Sequence, residues 1–588
     1  MQSIFKFFQK LYKTIRFSGA IAIILFALLF IIYNSNTIMF KYLDLVDLKT
    51  GKQLKLMDAR NRILNNLEKF NPFKSRFVSD FKQSELDEYN ILITQDDLQF
   101  FNGEIQKGLN TSIDIHKKSQ HMSNQDNNFS SARNRSIYFN NKEFKGKVKL
   151  HGKTNFHWQQ KKKSYAVRLK KGEKINKIRD FIFVIPDEQL LATLFSYDVA
   201  RLHGYMDVKA DVVKLKFNDI NQGVYIFEEK LSKDLLLRNG YDNVDVIKVI
   251  DDWSDQYMGQ HVTPFTDEEA YTELRNYSNK DDGQLAKYRD LIKNGSSFNE
   301  IKHLIDMDRF AQHEAMRMIF GDNHAVAGDN ISLIYDTNSQ KFFPYFRMEG
   351  YLEKLRYATY SKTFDKELNN YYMWEINLFK ILNMNQEFRT MRNKYLHNII
   401  ADAQALVAIY DKHVKDFSNE IIYDYTNNLP SRWYENTIMT QRDNLIFNIK
   451  ELSRYLDYSR VYASVEKINK NDYLLTVSPD SNSKLSLQSI SFVGISSQKK
   501  VKIFNHQINK TTITKISDIP ELLQDVDFSL LLDNDLEVTK NPLSFTLTML
   551  DGTQLTDLKL GFKNDITQRD VLSDNIYIVN LIDNKTDL

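Results

Sequence analysis

The residues with the greatest chemical potential lie in the short run Gly321–Asn330 (GDNHAVAGDN) and just beyond it. Asp322, His324, Asp329 and Asn330, with Glu349 further on, combine hard oxygen donors with an imidazole. Oxygen donors of this kind hold magnesium, and an imidazole or a carboxylate can handle a proton near neutral pH. Asp, Asn and Gly in succession also build tight turns, so the same run suits a plain connection between a helix and a strand. A second group is the basic cluster Gln160–Lys163 (QKKK) with Lys170 and Lys171. It suits a phosphate-facing patch, or a solvated strand edge that lysines protect from further pairing. Other chemistries are excluded by what is missing. The chain has no HExxH, GxSxG, Walker A, GxGxxG or EF-hand pattern. Only 19 of 588 residues are Gly, so a nucleotide site must use side chains and ordinary loops. With no Cys there is no disulfide framework, thiolate metal site or thiol nucleophile.

These residues need elements to hold them. Asp308–Phe320 has helical periodicity and leads directly into the run, and two strand-like segments follow, Ile331–Tyr335 and Phe342–Phe346, around a turn at Asp336–Gln340. Upstream, Tyr89–Thr94, Phe144–Leu150, Ser164–Lys170, Phe181–Ile185, Ala210–Phe217 and Gly223–Phe227 read as strands, rich in β-branched and aromatic residues and in places alternating with Lys. Leu190–His203 reads as a helix that stops at Gly204, and the polar stretch Ser119–Arg135 reads as a loop. Downstream, Ile376–Phe417 and Arg432–Tyr458 are long apolar-periodic segments expected to form a helical bundle. From Val461 the pattern changes to short strands separated by Asn, Asp, Ser and Gly turns, which predicts an all-β, sandwich-like module over 461–588.

The N-terminus carries a different signal. Phe17–Tyr33 (FSGAIAIILFALLFIIY) holds no charge and is just long enough, at ~1.5 Å per residue, to cross a bilayer core. Lys6, Lys10, Lys13 and Arg16 precede it, and no acidic residue occurs before Asp44. The positive-inside rule then leaves residues 1–16 in the cytoplasm and places the rest outside a single-pass signal-anchor over 17–36. A cleaved signal peptide is the competing reading, but no small-residue cleavage pattern follows Tyr33. Residues 37–88 read as a juxtamembrane helical region. Lys+Arg total 79 against 76 Asp+Glu, a balance that gives no electrostatic footprint for nucleic acid.

The order of pieces resembles the spore-coat-protein-H (CotH) kinase-like family. Val148–Lys170 (VKLHGKTNFHWQQKKKSYAVRLK) resembles the family's strand, Gly turn and basic-aromatic strand, and Phe195–Gly204 resembles its helix. Val212–Lys230 (VVKLKFNDINQGVYIFEEK) resembles its strand–turn–strand with the G-V-Y and E-E-K core. Asp306–Phe310 and Phe320–Tyr335 resemble the following helix, loop and tyrosine-bearing strand. The resemblance implies an α+β fold, a divergent protein-kinase-like domain over 89–460 with a helical C-terminal lobe.

It also implies ATP- and Mg²⁺-dependent phosphoryl transfer to envelope or secreted proteins, a chemistry of positioning and charge neutralisation. On this resemblance the nucleotide-binding lysine falls on Arg168, with Glu228 or Glu229 as its acidic partner. The catalytic Asp falls on His324, with Asp322 two residues away. Asn330 and Glu349 take the metal-binding positions. Arg168, His324 and Glu349 each replace the family's usual residue, and this leaves a catalytically inactive kinase-fold scaffold of the cell envelope as the alternative reading.

Overall fold

The computed structural model describes residues 85–115, 131–152, 157–158, 160, 162–187, 189–249, 272–280, 282–292, 297–322, 332–347, 352–355, 377–424, 426–492, 495, 499–507, 509–515, 542–552, 554–555 and 558–580. The anchor read over 17–36 lies outside the described residues, as does the helical region read over 37–88 up to residue 84. No described helix is long and apolar enough to cross a membrane.

The first unit is a closed seven-stranded barrel. Its strands are β1 (Glu88–Leu92), β2 (Ala132–Phe139), β3 (Lys142–Leu150), β4 (Tyr165–Leu169), β5 (Asp180–Val184), β6 (Ala210–Phe217) and β7 (Ile220–Glu229), in the spatial order β1-β2-β3-β4-β5-β7-β6. Parallel pairing of β1 with β6, with Tyr89 opposite Leu215, closes the ring. The cause is period-two patterning: Phe144, Val148 and Leu150 point inward from β3, while Lys145, Lys147 and Lys149 point outward. The barrel interior is Ile91, Ile137, Val148, Phe181, Phe183 and Leu215, all fully buried. Gly146 is required on β3, because a Cβ there would stand 2.7 Å from the Ile137 side chain and 2.9 Å from the Arg168 carbonyl. Two hairpins turn through paired left-handed residues, Asn140–Asn141 and Asn218–Asp219, the backbone that matches strand twist. The stretch read as a loop to Arg135 is corrected at its end. Ala132–Arg135 already belongs to β2, and Arg135 pairs at 2.7 Å with Asp97 of helix α1 (Gln95–Ile115). Its polar residues hid a strand whose outer face meets another element.

Helix α2 (Ala192–Leu202) lies between β5 and β6, and α3 (Lys233–Arg238) follows β7. A four-stranded sheet comes next, β11-β10-β8-β9, built from β8 (Val244–Val249), β9 (Thr272–Arg275), β10 (Ser332–Asp336) and β11 (Lys341–Pro344), with α4 (Gln284–Ile292) beside it. The helical lobe centres on α5 (Met307–Phe320), which is buried from Phe310 to Phe320. Asp306 caps its start by accepting from the Arg309 N–H at 3.1 Å, and left-handed Gly321 ends it. Around it stand α6 (Asn377–Met384), α7 (Gln386–Ile400), α8 (Ala403–Ile422) and α9 (Ser431–Asp457). A buried polar web ties them together. Glu314 accepts from Arg317 at 2.9 and 2.7 Å and from Asn383 at 3.2 Å, and Arg392 donates to Asn383 at 2.7 Å. Burial alone would raise the Glu314 carboxyl, but the adjacent Arg317 guanidinium holds it well below the usual carboxylate range.

The last unit packs a six-stranded sheet on a two-stranded one. The large sheet runs β16-β15-β17-β13-β12-β19, formed by β12 (Ser459–Lys467), β13 (Asp472–Ser481), β15 (Lys500–Asn505), β16 (Lys510–Lys515), β17 (Leu543–Met549) and β19 (Ile576–Asn580). The small one pairs β14 (Leu485–Phe492) with β18 (Leu558–Asn564). Its own core includes Val461, Val465, Tyr473, Leu475, Phe545 and Leu547. Asn564 donates to the Leu456 carbonyl at 2.8 Å and Asn393 to the Asn482 carbonyl at 2.7 Å, so this unit is docked on α7 and the end of α9.

Candidate functional site

Outward-facing residues of β3, β4, β5 and β7 form continuous cross-strand rows. Lys149, Ala166, Ile182 and Glu228 stand in one row, and Lys147, Arg168 and Asp180 in the next. His151 extends the first edge, its N–H donating to the Ser164 carbonyl at 3.0 Å. Lys230 extends the last, its N–H donating to the Asp180 carbonyl at 3.0 Å. Alternating Lys145, Lys147, Lys149 and His151 on one strand therefore projects a line of nitrogen donors from the barrel wall.

Glu228 sits buried among these groups and is tied to other elements. It accepts from Tyr197 of α2 at 2.9 Å and from Arg347 Nε, beyond β11, at 2.8 Å. One carboxylate thereby fixes α2 and the segment after β11 against the barrel. Tyr345 is buried next to the pair. Burial, then the Glu228 charge, pushes both the Tyr197 and Tyr345 hydroxyls upward, so both remain protonated.

His151 is pushed well below the ordinary histidine value, first by burial, then by the charges of Lys230, His157, Arg347 and Lys149. Its imidazole is thus neutral at neutral pH, amid three permanent cations. The turn after it depends on Gly152. At φ 99° it has the left-handed backbone that favours Gly, and a Cβ would fall 2.3 Å from the His157 ring. His157 in turn lies 3.3 Å from the Ser164 hydroxyl, which accepts the Ile185 N–H at 3.1 Å. This cluster of Lys149, Lys230 and Arg347 around His151, with Arg347 held by Glu228, can bind and neutralise a compact anion such as a phosphate chain.

The residues expected from the sequence are distributed unevenly over this surface. Glu228 is central. Glu229, its neighbour, faces the other side of the strand and takes an ion pair from Arg238 and the Lys209 N–H at 3.3 Å. Burial raises the Glu229 carboxyl to about 7 despite Arg238. Arg168 shares the face of Glu228 but stands at its rim, 60% exposed and paired with Asp180 at 3.1 Å. Asp322 is buried just past the left-handed cap of α5. His324, Asn330 and Glu349 lie outside the described residues, and among those described no group of three His, Asp or Glu side chains is placed to hold a metal ion.

The basic cluster is corrected in part. Lys162 is neither solvated nor open to a phosphate, because its side chain is 1% exposed and pairs with Asp424 at 2.6 Å. It also donates to Asn427 at 3.1 Å and lies 4.8 Å from the Tyr225 ring centre. Asn428 bonds both the Lys162 N–H and its carbonyl, at 2.9 and 3.1 Å, and donates to Asp187 at 2.8 Å. The connector between α8 and α9 therefore seats in the end of the barrel. Burial alone would raise Asp424, but Lys162 and the Val224 and Thr426 N–H groups hold it below its ordinary value. Burial raises Asp187 in the same network.

Sequence reasoning passed over His151, Lys149, Arg347 and Asp424 as functional or organising residues. The alternation of Lys and His on β3 was a readable signal for the first two. Arg347 and Asp424 gave none, because their partners are 119 and 262 residues away.

No match is found among curated proteins. The family described as CotH kinase protein matches residues 148–477, from within β3 through the barrel, the central sheet and the helical lobe into β13. That span covers more than half of the chain and contains Lys149, His151, Glu228, Lys230 and Arg347. The chain belongs to the CotH kinase family.

Proposed function

We propose that this protein is an atypical kinase-like phosphotransferase that uses ATP and Mg²⁺ to phosphorylate envelope or secreted proteins. The observation that carries the reading is the set of cations around buried His151, namely Lys149, Lys230 and Arg347, the last held by Glu228, within the family-matched region. Their chemistry fits the phosphates of a nucleotide. Glu228 holds the Arg347 fork in place, Lys149 and Lys230 supply point charges, and neutral His151 can donate or accept one hydrogen bond. Arg168 at the rim offers a second planar fork. Asn330 and Glu349 would hold the metal, and His324 or Asp322 would orient the acceptor hydroxyl. Bound Mg-ATP supplies the transferable phosphoryl group and further charge neutralisation.

In this reading residues 17–33 anchor the chain in the cytoplasmic membrane with the large domains outside, which motivates an envelope acceptor. Protease added to spheroplasts should then digest the large domain. A domain protected while an external control is cut would place it on the other side.

The activity is tested by incubating the full chain with γ-labelled ATP, Mg²⁺ and an envelope protein extract. Transfer that is lost in Glu349→Gln and reduced in His324→Ala supports the assignment. One observation favours a second reading, an inactive kinase-fold scaffold: Arg347 and Arg168 are engaged by the protein's own Glu228 and Asp180. A chain that neither binds Mg-ATP nor transfers phosphate would favour it.

A further inference from the structure

The outer face of the six-stranded sheet is a second surface with its own chemistry. Along β12 the residues Val461, Ala463 and Val465 enter the core, so Arg460, Tyr462 and Ser464 face outward. Tyr462 stands opposite Tyr577 of β19, and the two rings stack with centres 5.2 Å apart and planes 15° from parallel. They remain 40% and 44% exposed, and Val579 beside them is 57% exposed. Strand β19 is an edge, where natural sheets usually place Lys, Pro or a bulge rather than aromatic and β-branched side chains. Arg460 lies 5.6 Å from the Tyr458 ring centre.

Next to this aromatic platform the face consists of hydroxyls. Ser478 lies opposite Tyr462, Ser464 opposite Thr476, and Thr476 opposite Ser544. Thr546 follows on β17, 2.8 Å from the His506 ring nitrogen. The centre of the face therefore carries no charge. Charges stand at its margins, Glu466 and Asp472 with Lys502 at one end and Asp480 with Arg460 at the other, and Tyr458 donates to Asp480 at 3.0 Å.

We propose that this face binds a neutral polysaccharide chain, with a sugar ring lying on the outer face of the stacked Tyr462–Tyr577 pair and its hydroxyls meeting the Ser/Thr rows. Flat aromatic faces offer the apolar side of a pyranose a matching surface, while the neighbouring hydroxyls can both donate and accept. Charge decides between polymers. A polyanion such as single-stranded nucleic acid would also stack on aromatic rings, but such binding relies on a positively charged groove, and here Arg460 and Lys502 stand beside Asp480 and Asp472, so phosphates would also meet carboxylates. An uncharged glycan meets no such cost. The surface lies apart from the Glu228 cluster, so the proposal does not depend on kinase activity.

The test is affinity electrophoresis of the full chain, in a detergent without a sugar headgroup, through gels containing neutral gluco-, manno-, galacto- or N-acetylglucosamine polymers. At least one polymer should retard the protein. Tyr462→Ala and Tyr577→Ala should each weaken retardation by roughly tenfold, the scale of one lost aromatic contact. Tyr462→Phe, which keeps the ring, should retain most of it, as should Ile220→Ser on the barrel. Unchanged melting temperatures would show that the Ala variants are folded. Absence of retardation by every neutral polymer would overturn the proposal, as would equal retardation of the Ala variants. Retention of oligo-dT in place of glycan would assign the face to nucleic acid instead. A change of oligomeric mass in Tyr577→Ala without a change in retardation would make it a self-association surface.

Discussion

Arg347 Nε lies 2.8 Å from Glu228, and the two residues are separated by 119 positions along the chain. The pair joins the last strand of the barrel to the segment after β11, and Tyr197 adds α2 to the same carboxylate. Glu228 is buried while Arg347 is less than a third exposed. Removing one partner therefore leaves a charge that water cannot fully reclaim. Arg347→Met is expected to destabilise the fold by roughly 3 kcal/mol, the low end for a broken buried pair. Adding Glu228→Gln should recover part of the loss, a non-additivity measurable from urea midpoints. Strictly additive effects would mean that the pair is not coupled.

Lys162 and Asp424 make the deeper contact between the barrel and the helical lobe. Lys162→Met should cost about 3–5 kcal/mol, because Asp424 stays buried with only N–H and hydroxyl donors around it. The double variant Lys162→Met, Asp424→Asn should be more stable than Lys162→Met alone. Chemical denaturation of the three proteins decides the matter, and equal stability of single and double variants would remove the latch.

Gly223 faces the same connector. It holds φ 96°, and a Cβ would stand 1.9 Å from the Thr426 hydroxyl and 2.2 Å from the Asp424 carboxylate. Gly223→Ala combines a disfavoured backbone with an overlap, so a loss of more than about 1 kcal/mol is expected. A midpoint shift within error of wild type would show that the connector is not seated there.

Glu229 gives the chain a pH dependence of definite sign. Its folded value of about 7 lies above the ordinary 4.5, so between those values the folded state binds more protons than the unfolded one. Stability contributed by this group is then complete below about pH 4.5 and is lost as pH rises through 7. Glu229→Gln should flatten the fall in melting temperature between pH 5 and 8. An unchanged slope in the variant would assign the dependence elsewhere.

How much of this was legible in the sequence differs by element. Alternation made β3, β4 and β6 readable, because one face of each meets a packed barrel and the other does not. Helix α5 was readable from its periodicity, while its Asp306 cap and Gly321 stop are seen in the structure. Strand β2 was hidden by its polar start, and β8 and β9 were missed because their partners come from distant segments. Barrel closure depends on β1 pairing in parallel with β6, a contact no local pattern encodes. At the site, Glu228 was found through a resemblance that left it level with Glu229, and only the strand's facing separates the two. Lys162 was misjudged because a run of lysines looks solvated, while its partner Asp424 lies 262 residues away.

If the cations around His151 receive the phosphates of a nucleotide, ligand-induced stabilisation measures it most directly. At a concentration near 100 Kd, Mg-ATP should raise the unfolding free energy of the full chain by about 2.7 kcal/mol, seen as a higher melting temperature. Lys149→Met with Lys230→Met should abolish that gain. A wild-type chain whose melting temperature does not respond to saturating Mg-ATP would contradict the account.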